Sequence, residues 1–433
     1  MTRLIRPIVA LLCLGLITQT AVAQESESAA TEADGTQSGY NNLGKFGGPE
    51  DVEARLEEND KERESTYDFD SLQRGLKPYF DWKRGANDEH GVAFGSSLYL
   101  LYQKANSDIG GDDDALGYVF RQQGNWTFSG RGTNSPGRLQ WRFEARSNIG
   151  GFNAPGELAG ATGIAALAPG FGYSGNFDFD LAIINWTQGF SDGTAGFAVG
   201  RLGFDVYLDA FPFQTFSKGF INRSFILNPT MAATGIGAIG GVVKGFVSDS
   251  FWIGAQMHDA NAASGDFDFD TVQEGEWLKA IEVGWTPSQS RYKKDRVQFT
   301  YWEKDARELA GTSKGSGWVI SAAYELSDSI YPFIRFGHSD GGGGAPAEDA
   351  ISTGVQISRV AHEVWSVGIG WAKPSRDTFG PGLRSETVIE TSYQFQLSKN
   401  FTLTPDLQVI FNPANDPGQS SVWVFGIRGI LTL

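Results

Sequence analysis

The stretch from Arg138 to Arg146 reads R-L-Q-W-R-F-E-A-R. Its polar residues, most of them charged, alternate strictly with Leu139, Trp141, Phe143 and Ala145. Alternation with period 2 is the mark of a β-strand, because successive side chains point to opposite faces; a helix would scatter them around its axis. Such a strand has one oily face and one charged face. In a soluble sandwich the oily face meets a core and the charged face meets water. In a membrane barrel the oily face meets lipid and the charged face lines the inside. The rest of the chain has to choose.

The same pattern recurs to the C-terminus. Sixteen alternating stretches run from Val92–Gln103 and Leu116–Phe128 to Phe401–Phe411 and Val422–Leu433, broken by Gly, Asp, Asn and Pro clusters. A further strand is expected at Leu76–Trp82. No helical pattern separates the strands, so a βαβ architecture is excluded. Strands of about 9–11 residues suit a tilted membrane crossing. Some connections are very short, such as Ser248-Asp249-Ser250 and Ser327-Asp328-Ser329; others are long and polar, such as Asn148–Gly175 and Gly341–Asp349. Short turns at one end and long loops at the other fit a hairpin barrel in an outer membrane. In the last stretch Trp423, Phe425, Ile427, Leu431 and Leu433 share one face, with Arg428 and Thr432 on the other. A terminal amphipathic strand is expected where the last strand closes on the first. The expected fold is therefore all-β: a transmembrane antiparallel barrel of sixteen strands behind a short helical or irregular leader.

The N-terminus reads as a secretory signal peptide: Arg3 and Arg6, an apolar run from Pro7 to Ile17, and Ala21-Val22-Ala23 as the cleavage site. This divides the chain into a signal at 1–23, an acidic periplasmic leader at 24–75 and a barrel at 76–433. Cys13 is the only cysteine and lies in the signal, so a mature chain has no disulfide or thiolate chemistry. After the signal, no apolar run is long enough for a membrane-spanning helix. Gly is abundant at 56 residues and aromatics make up 13%, as tight turns and interfacial girdles require. The formal charge of −16 argues against a nucleic-acid partner. In the leader, Pro49 followed by acidic residues opens a short helix. With only Val52 and Leu56 as an apolar stripe, that helix is either solvated or docked at the mouth of the barrel.

Sites of chemistry are sparse. Gly235–Gly240 matches G-x-G-x-x-G but continues as strand and turn, not as the helix a dinucleotide site needs. His90, His258, His338 and His362 have no metal spacing. The acid pair Asp178 and Asp180, and Asp266, Asp268 and Asp270, read as solvated loop carboxylates, with Ca²⁺ binding as the sharper alternative. No pair of carboxylates stands out for glycoside hydrolysis. No cofactor, metal or catalytic residue is expected. The segment Gly200–Pro229 is too long and too aromatic for a turn, and long loops in compact domains are usually functional. It is expected either to fold inward and narrow a channel or to lie at a surface.

Three segments carry a resemblance: V-G-R-L…Y-L-D…F-I-N-R-S-F-I-L-N-P (Val199–Pro229), F-I-R-F-G-H-S-D-G-G (Phe333–Gly342) and E-T-S-Y-Q-F-Q-L-S-K-N-F-T-L-T-P-D-L-Q-V-I-F-N-P (Glu390–Pro413). With the terminal V-F-G-I-R, their order resembles the carbohydrate-selective outer-membrane porins of the glucose-inducible type. The resemblance implies a sixteen-stranded barrel passing monosaccharides by facilitated diffusion. It places Arg201, Asp209, Asn222, Asn228, Arg335, Glu390, Asp406, Gln408 and Arg428 at motif positions. Gly203 and Phe204 depart from the more polar residues expected there, which leaves the sugar open. The pore-lining expectation comprises Arg138, Arg142, Glu144, Arg146, Arg201, Asp209, Asn222, Arg223, Arg335, Glu390 and Arg428. Phe211, Phe213 and Phe216 are expected to stack on a sugar ring. The expected partners are small sugars as solutes, outer-membrane lipid and, as an assembly, a homotrimer. A nonspecific or anion-preferring porin is the alternative channel. A secreted glycan-binding β-protein and a barrel enzyme are the alternatives outside that class.

Overall fold

The computed structural model describes residues 46–433 except 62, 171, 174–176, 233–236, 263–268, 309, 359 and 361–362. The signal segment, Gly235, Ile236, Asp266, Asp268 and His362 lie outside the described residues. Sixteen antiparallel strands close into one barrel. They are β1 (Val92–Ala105), β2 (Asp114–Ser129), β3 (Gly137–Asn148), β4 (Phe177–Phe190), β5 (Ala195–Leu202), β6 (Ala238–Phe246), β7 (Phe251–Asp259) and β8 (Trp277–Trp285). The second half comprises β9 (Arg296–Lys304), β10 (Gly315–Ala323), β11 (Ile330–Ser339), β12 (Ala347–Ile357), β13 (Glu363–Pro374), β14 (Glu386–Ser398), β15 (Phe401–Phe411) and β16 (Ser421–Thr432). Each strand pairs with its sequence neighbours, and β1 closes on β16 with Ser97 opposite Thr432 and Leu101 opposite Arg428. Closure leaves no strand edge unpaired, which is what a β-structure in hydrocarbon requires.

The alternation read from the sequence becomes the inside and outside of this wall. Val199, Ile253, Ile281, Val283, Ile369, Ile389, Trp423 and Phe425 are exposed on the outer face. Arg138, Arg142, Glu144, Lys244, Glu282, Arg335, Glu390 and Arg428 are buried within. Turns after even-numbered strands, such as 191–194, 247–250 and 399–400, are short and share an end with Val92 and Thr432. The long segments 149–176 and 203–237 leave from the opposite end.

Two helices precede the wall, α1 (Val52–Asp60) and α2 (Asp70–His90). Asp51 caps α1, its carboxylate accepting the Glu53 N–H at 3.2 Å. The strand expected at Leu76–Trp82 is instead the middle of α2. Leu72, Leu76 and Tyr79–Phe80 recur at helical spacing, a pattern that begins before the seven residues of the expected strand and is cut short within them. The helix ends at Gly91, whose φ of +71° supplies the left-handed cap. Among the described residues no helix is long and apolar enough to cross a membrane.

The inside of the barrel is where the packed core lies. Phe211, Phe213, Phe220 and Phe225 from the segment after β5 meet Leu158, Ile164 and Leu167 from the segment after β3, and Phe333, Ala350, Val388 and Val424 from the wall. Val52 and Leu56 of α1 pack on Ala93, Ala182 and Ile183.

Candidate functional site: the inside of the barrel

The segment after β5 folds inward and is clamped to the wall largely through its own backbone. The Glu390 carboxylate accepts the Ile221 N–H at 2.6 Å and the Asn222 N–H at 3.1 Å. Arg428 donates to the Gly219 carbonyl at 2.9 Å and the Phe220 carbonyl at 3.2 Å. Glu282 accepts the Asp209 N–H at 2.6 Å. Arg335 pairs with the Asp209 carboxylate, donates to Ser321 Oγ at 2.9 Å, and lies 4.6 Å from the Phe211 ring centre. Asn222 caps a short helix, α3 (Arg223–Ile226), through the Ser224 N–H, and donates to Gln408 at 2.9 Å and the Leu167 carbonyl at 3.0 Å. The Arg223 N–H donates to the Ala168 carbonyl at 3.0 Å, tying the two inward segments together. Glu386 does the same for the segment after β3, accepting the N–H groups of Ala165, Ala166 and Leu167 at 2.7, 2.9 and 3.2 Å.

The second inward element is residues 46–60. Strands β2 and β3 present Arg121, Arg138, Arg142 and Arg146 to the inside with a single wall carboxylate, Glu144, among them. Glu144 takes Arg121 Nε at 2.7 Å and pairs with Arg146. The remaining positive charge is met by residues 50–53. Glu50 pairs with Arg121, and its carbonyl accepts Arg142 Nη2 at 2.6 Å. Glu53 pairs with Arg138 at 3.2 Å. Asp51 accepts the Tyr207 hydroxyl at 3.1 Å, and Arg55 donates to Ser217 Oγ at 2.5 Å. Nearer the short-turn end, Lys293 meets Glu57 at 3.2 Å and Lys83 of α2 meets Asp60 at 2.7 Å.

These surroundings set the two carboxyls apart. Burial pushes the Glu50 carboxyl up, but the guanidiniums of Arg121, Arg55 and Arg142 outweigh it and hold the group below the usual carboxylate range. Burial pushes the Glu53 carboxyl up to about 7, with Arg138 pulling against it and Asp51 adding to it.

Of the sequence-selected residues, Arg138 and Arg142 therefore contact segment 46–60, Glu144 and Arg146 pair beside them with Arg146 donating to the Gly172 carbonyl at 2.5 Å, and Arg335, Glu390 and Arg428 hold the segment after β5, to which Asp209 and Asn222 belong. Arg201 donates to the Ala182 carbonyl at 3.1 Å. The pore-lining expectation is met by protein packed against these guanidiniums, and Arg138, Arg335 and Arg428 are at most 1% exposed. The stacking role expected of Phe211 and Phe213 is corrected by their surroundings. Both are at most 1% exposed, with faces and edges taken by Phe220, Tyr331 and Phe333. Aromatic side chains on a loop inside a barrel have a core of their own to fill. Phe216 stays partly open, against Arg121 at 5.3 Å. Sequence reasoning missed Arg121, Glu50, Glu53 and Thr215. The alternation Arg121, Gln123, Asn125 in β2 was the available signal for the first; nothing local marks the others.

Comparison with known proteins agrees with this architecture. Residues 347–433 match the family described as carbohydrate-selective porin, OprB family. Porin AaxA of Chlamydia felis is 24% identical over 234 residues, covering 49% of this chain and 48% of that protein. Porin AaxA of Chlamydia abortus is 24% identical over 218 residues with the same coverage. The chain thus spans about half the length of the curated relatives it matches. The high-pH structure of Pseudomonas putida OprB superposes with a TM-score of 0.66 at 13% identity, over 82% of this chain and 97% of that one. The resemblance read from the sequence is thus met by the family match over β12–β16 and by a shared barrel fold.

Proposed function

We propose that the chain is an outer-membrane porin passing small carbohydrates, monosaccharides such as glucose among them, by facilitated diffusion through an arginine-lined interior. The observation that carries this reading is the closed sixteen-stranded wall, apolar outside and charged inside. The carbohydrate-selective family match over residues 347–433 supports the class of solute. Arg121, Arg138, Arg142, Glu144 and Arg146 are the groups that would exchange water for sugar hydroxyls. Phe216 is the ring placed to lie against a pyranose. Asp209, Asn222, Arg223, Arg335, Glu390 and Arg428 shape the constriction by holding the inward segments, and Arg201 lines the wall beside them. Passage beside the β2–β3 arginines requires segment 46–60 to leave its seat. Solute binding there must stay weak, or the pore blocks. No catalytic step is part of this reading. Assembly as a homotrimer is, and crosslinking in detergent tests it.

A second reading, an anion-preferring porin, is favoured by one observation: four guanidiniums against one carboxylate on the inner faces of β2 and β3. Planar-bilayer recording of the purified protein separates the two. Current steps that D-glucose blocks saturably support the sugar porin. Strong anion preference without a sugar effect supports the second reading, and absence of channel steps from folded protein removes both.

A further inference from the structure

The Glu50 carboxylate is bound as a ligand would be. One oxygen pairs with Arg121 Nη1. The other accepts Thr215 Oγ1 at 2.7 Å and the Phe216 backbone N–H at 3.2 Å. Arg121 is itself oriented: its Nε is fixed by Glu144, and its guanidinium lies 5.4 Å from the Tyr99 ring and 5.3 Å from the Phe216 ring. Every cradle group belongs to the wall or to the segment after β5. Only the carboxylate belongs to segment 46–60. The cradle therefore outlasts the departure of that segment.

Departure would also expose charge. Segment 50–58 brings Glu50, Asp51, Glu53, Glu57 and Glu58 with one cation, Arg55. Without it, Arg121 and Arg142 lose Glu50, and Glu144 is the carboxylate that the inner faces of β2 and β3 themselves supply. Guanidiniums left uncompensated in a low-dielectric interior are costly and draw an anion. Around the cradle lie groups suited to hydroxyls: Ser217, whose hydroxyl now takes Arg55, Gln123, which accepts from Arg142, and Tyr207, which now donates to Asp51.

We propose that Arg121, Thr215 and the Phe216 N–H form a carboxylate subsite of the pore, seated here by Glu50 as an internal stand-in, and that its external ligand is the carboxylate of an acidic monosaccharide. The guanidinium takes the carboxylate in a charge-assisted pair, and the Ser217, Gln123 and Tyr207 groups take the sugar hydroxyls. Segment 46–60 and the solute compete for one cradle, so solute carboxylate favours the withdrawn segment.

This inference rests on the porin reading for its transport consequence, and two measurements keep the two apart. The first needs no conduction. Val52 is 1% exposed against the wall, so Val52→Cys, in a chain with Cys13→Ser, reports withdrawal by its rate of labelling with a bulky maleimide. D-gluconate is expected to speed labelling at least fivefold over equimolar D-glucose, and Arg121→Gln to abolish the difference. Equal rates in the two solutes would overturn the proposal. The second is bilayer recording of Glu50→Gln, which weakens the stand-in. Half-block by D-gluconate is expected at least tenfold below that of D-glucose, and Glu50→Gln/Arg121→Gln is expected to bring the two together. Equal block in Glu50→Gln, or a gluconate preference that survives Arg121→Gln, would overturn the subsite and leave the porin reading standing. A gluconate effect on labelling without any current would sustain the subsite and remove the porin.

Discussion

Segment 46–60 and the segment after β5 both fill the inside of one barrel, and the balance of contacts that holds them differs, although each also has one of the other's kind: Arg335 pairs with Asp209, and Arg142 takes the Glu50 carbonyl. Wall carboxylates grip the later segment by its backbone: Glu390 through the N–H groups of Ile221 and Asn222, Glu282 through that of Asp209. Wall arginines grip the earlier one mainly by its side chains: Arg121 takes Glu50 and Arg138 takes Glu53. Backbone clamps bring in few new charges and are backed by packed phenylalanines, so they read as permanent structure. Carboxylate–guanidinium pairs depend on ionisation and can be replaced by any competing carboxylate. The difference separates a constriction from an exchangeable plug.

The largest expected effect comes from breaking the permanent side. Glu282 also takes Lys244 Nζ at 2.6 Å, Trp252 Nε1 at 2.8 Å and Thr300 Oγ1 at 3.1 Å, so Glu282→Ala leaves a buried cation without its carboxylate and three donors, the Asp209 N–H among them, without this acceptor. A loss of about 3–5 kcal/mol is expected in urea unfolding from lipid vesicles, as for other buried pairs that lose one member. Unchanged unfolding would show that the clamp is not structural.

The plug side should answer to pH instead. A Glu53 carboxyl raised to about 7 when seated, against an ordinary value of 4.5, means that the seated form binds a proton the withdrawn form releases. Seating is then favoured below about pH 4.5, and the advantage is lost as pH rises through about 7. Asp51, raised by burial, works in the same direction, whereas the lowered Glu50 matters only below the ordinary carboxylate range. Relative to an exposed cysteine, whose own labelling rises as its thiol ionises, labelling at Val52→Cys should accelerate between pH 5 and pH 7, by at most about tenfold per pH unit for one proton. Glu53→Gln should flatten most of that slope. A flat wild-type profile would argue that the plug does not exchange.

Gly219 tests the constriction more gently. Its φ of +70° is left-handed, and an added Cβ would collide with the Gln356 side chain. Gly219→Ala should cost about 1–2 kcal/mol in the same unfolding measurement while leaving Val52→Cys labelling unchanged. The smallest effect belongs to the half-exposed pair Lys293–Glu57 at the short-turn end. Lys293→Ala should change the seating equilibrium by less than about 1 kcal/mol, read as a labelling rate within fivefold of the parent.

Period-2 alternation was enough to read sixteen strands, and β5, β8 and β15 match their sequence boundaries at both ends. The inside–outside sorting of Leu139, Trp141 and Phe143 from Arg138, Arg142, Glu144 and Arg146 was legible for the same reason. A strand's two faces are a local property, written in every second residue. The error at Leu76–Trp82 is local too, since a short window of apolar residues fits either period. What occupies the barrel was not legible. Arg121 meets Glu50 across 71 positions, and Glu390 meets Ile221 across 169. No periodicity encodes such pairings, because each depends on where closure of the wall brings two distant segments. Alternation along each strand is enough to specify a charged inner face. Tertiary structure alone decided that this face would be answered by the chain's own carboxylates, because an interior crowded with guanidiniums must be neutralised by whatever the fold places within reach.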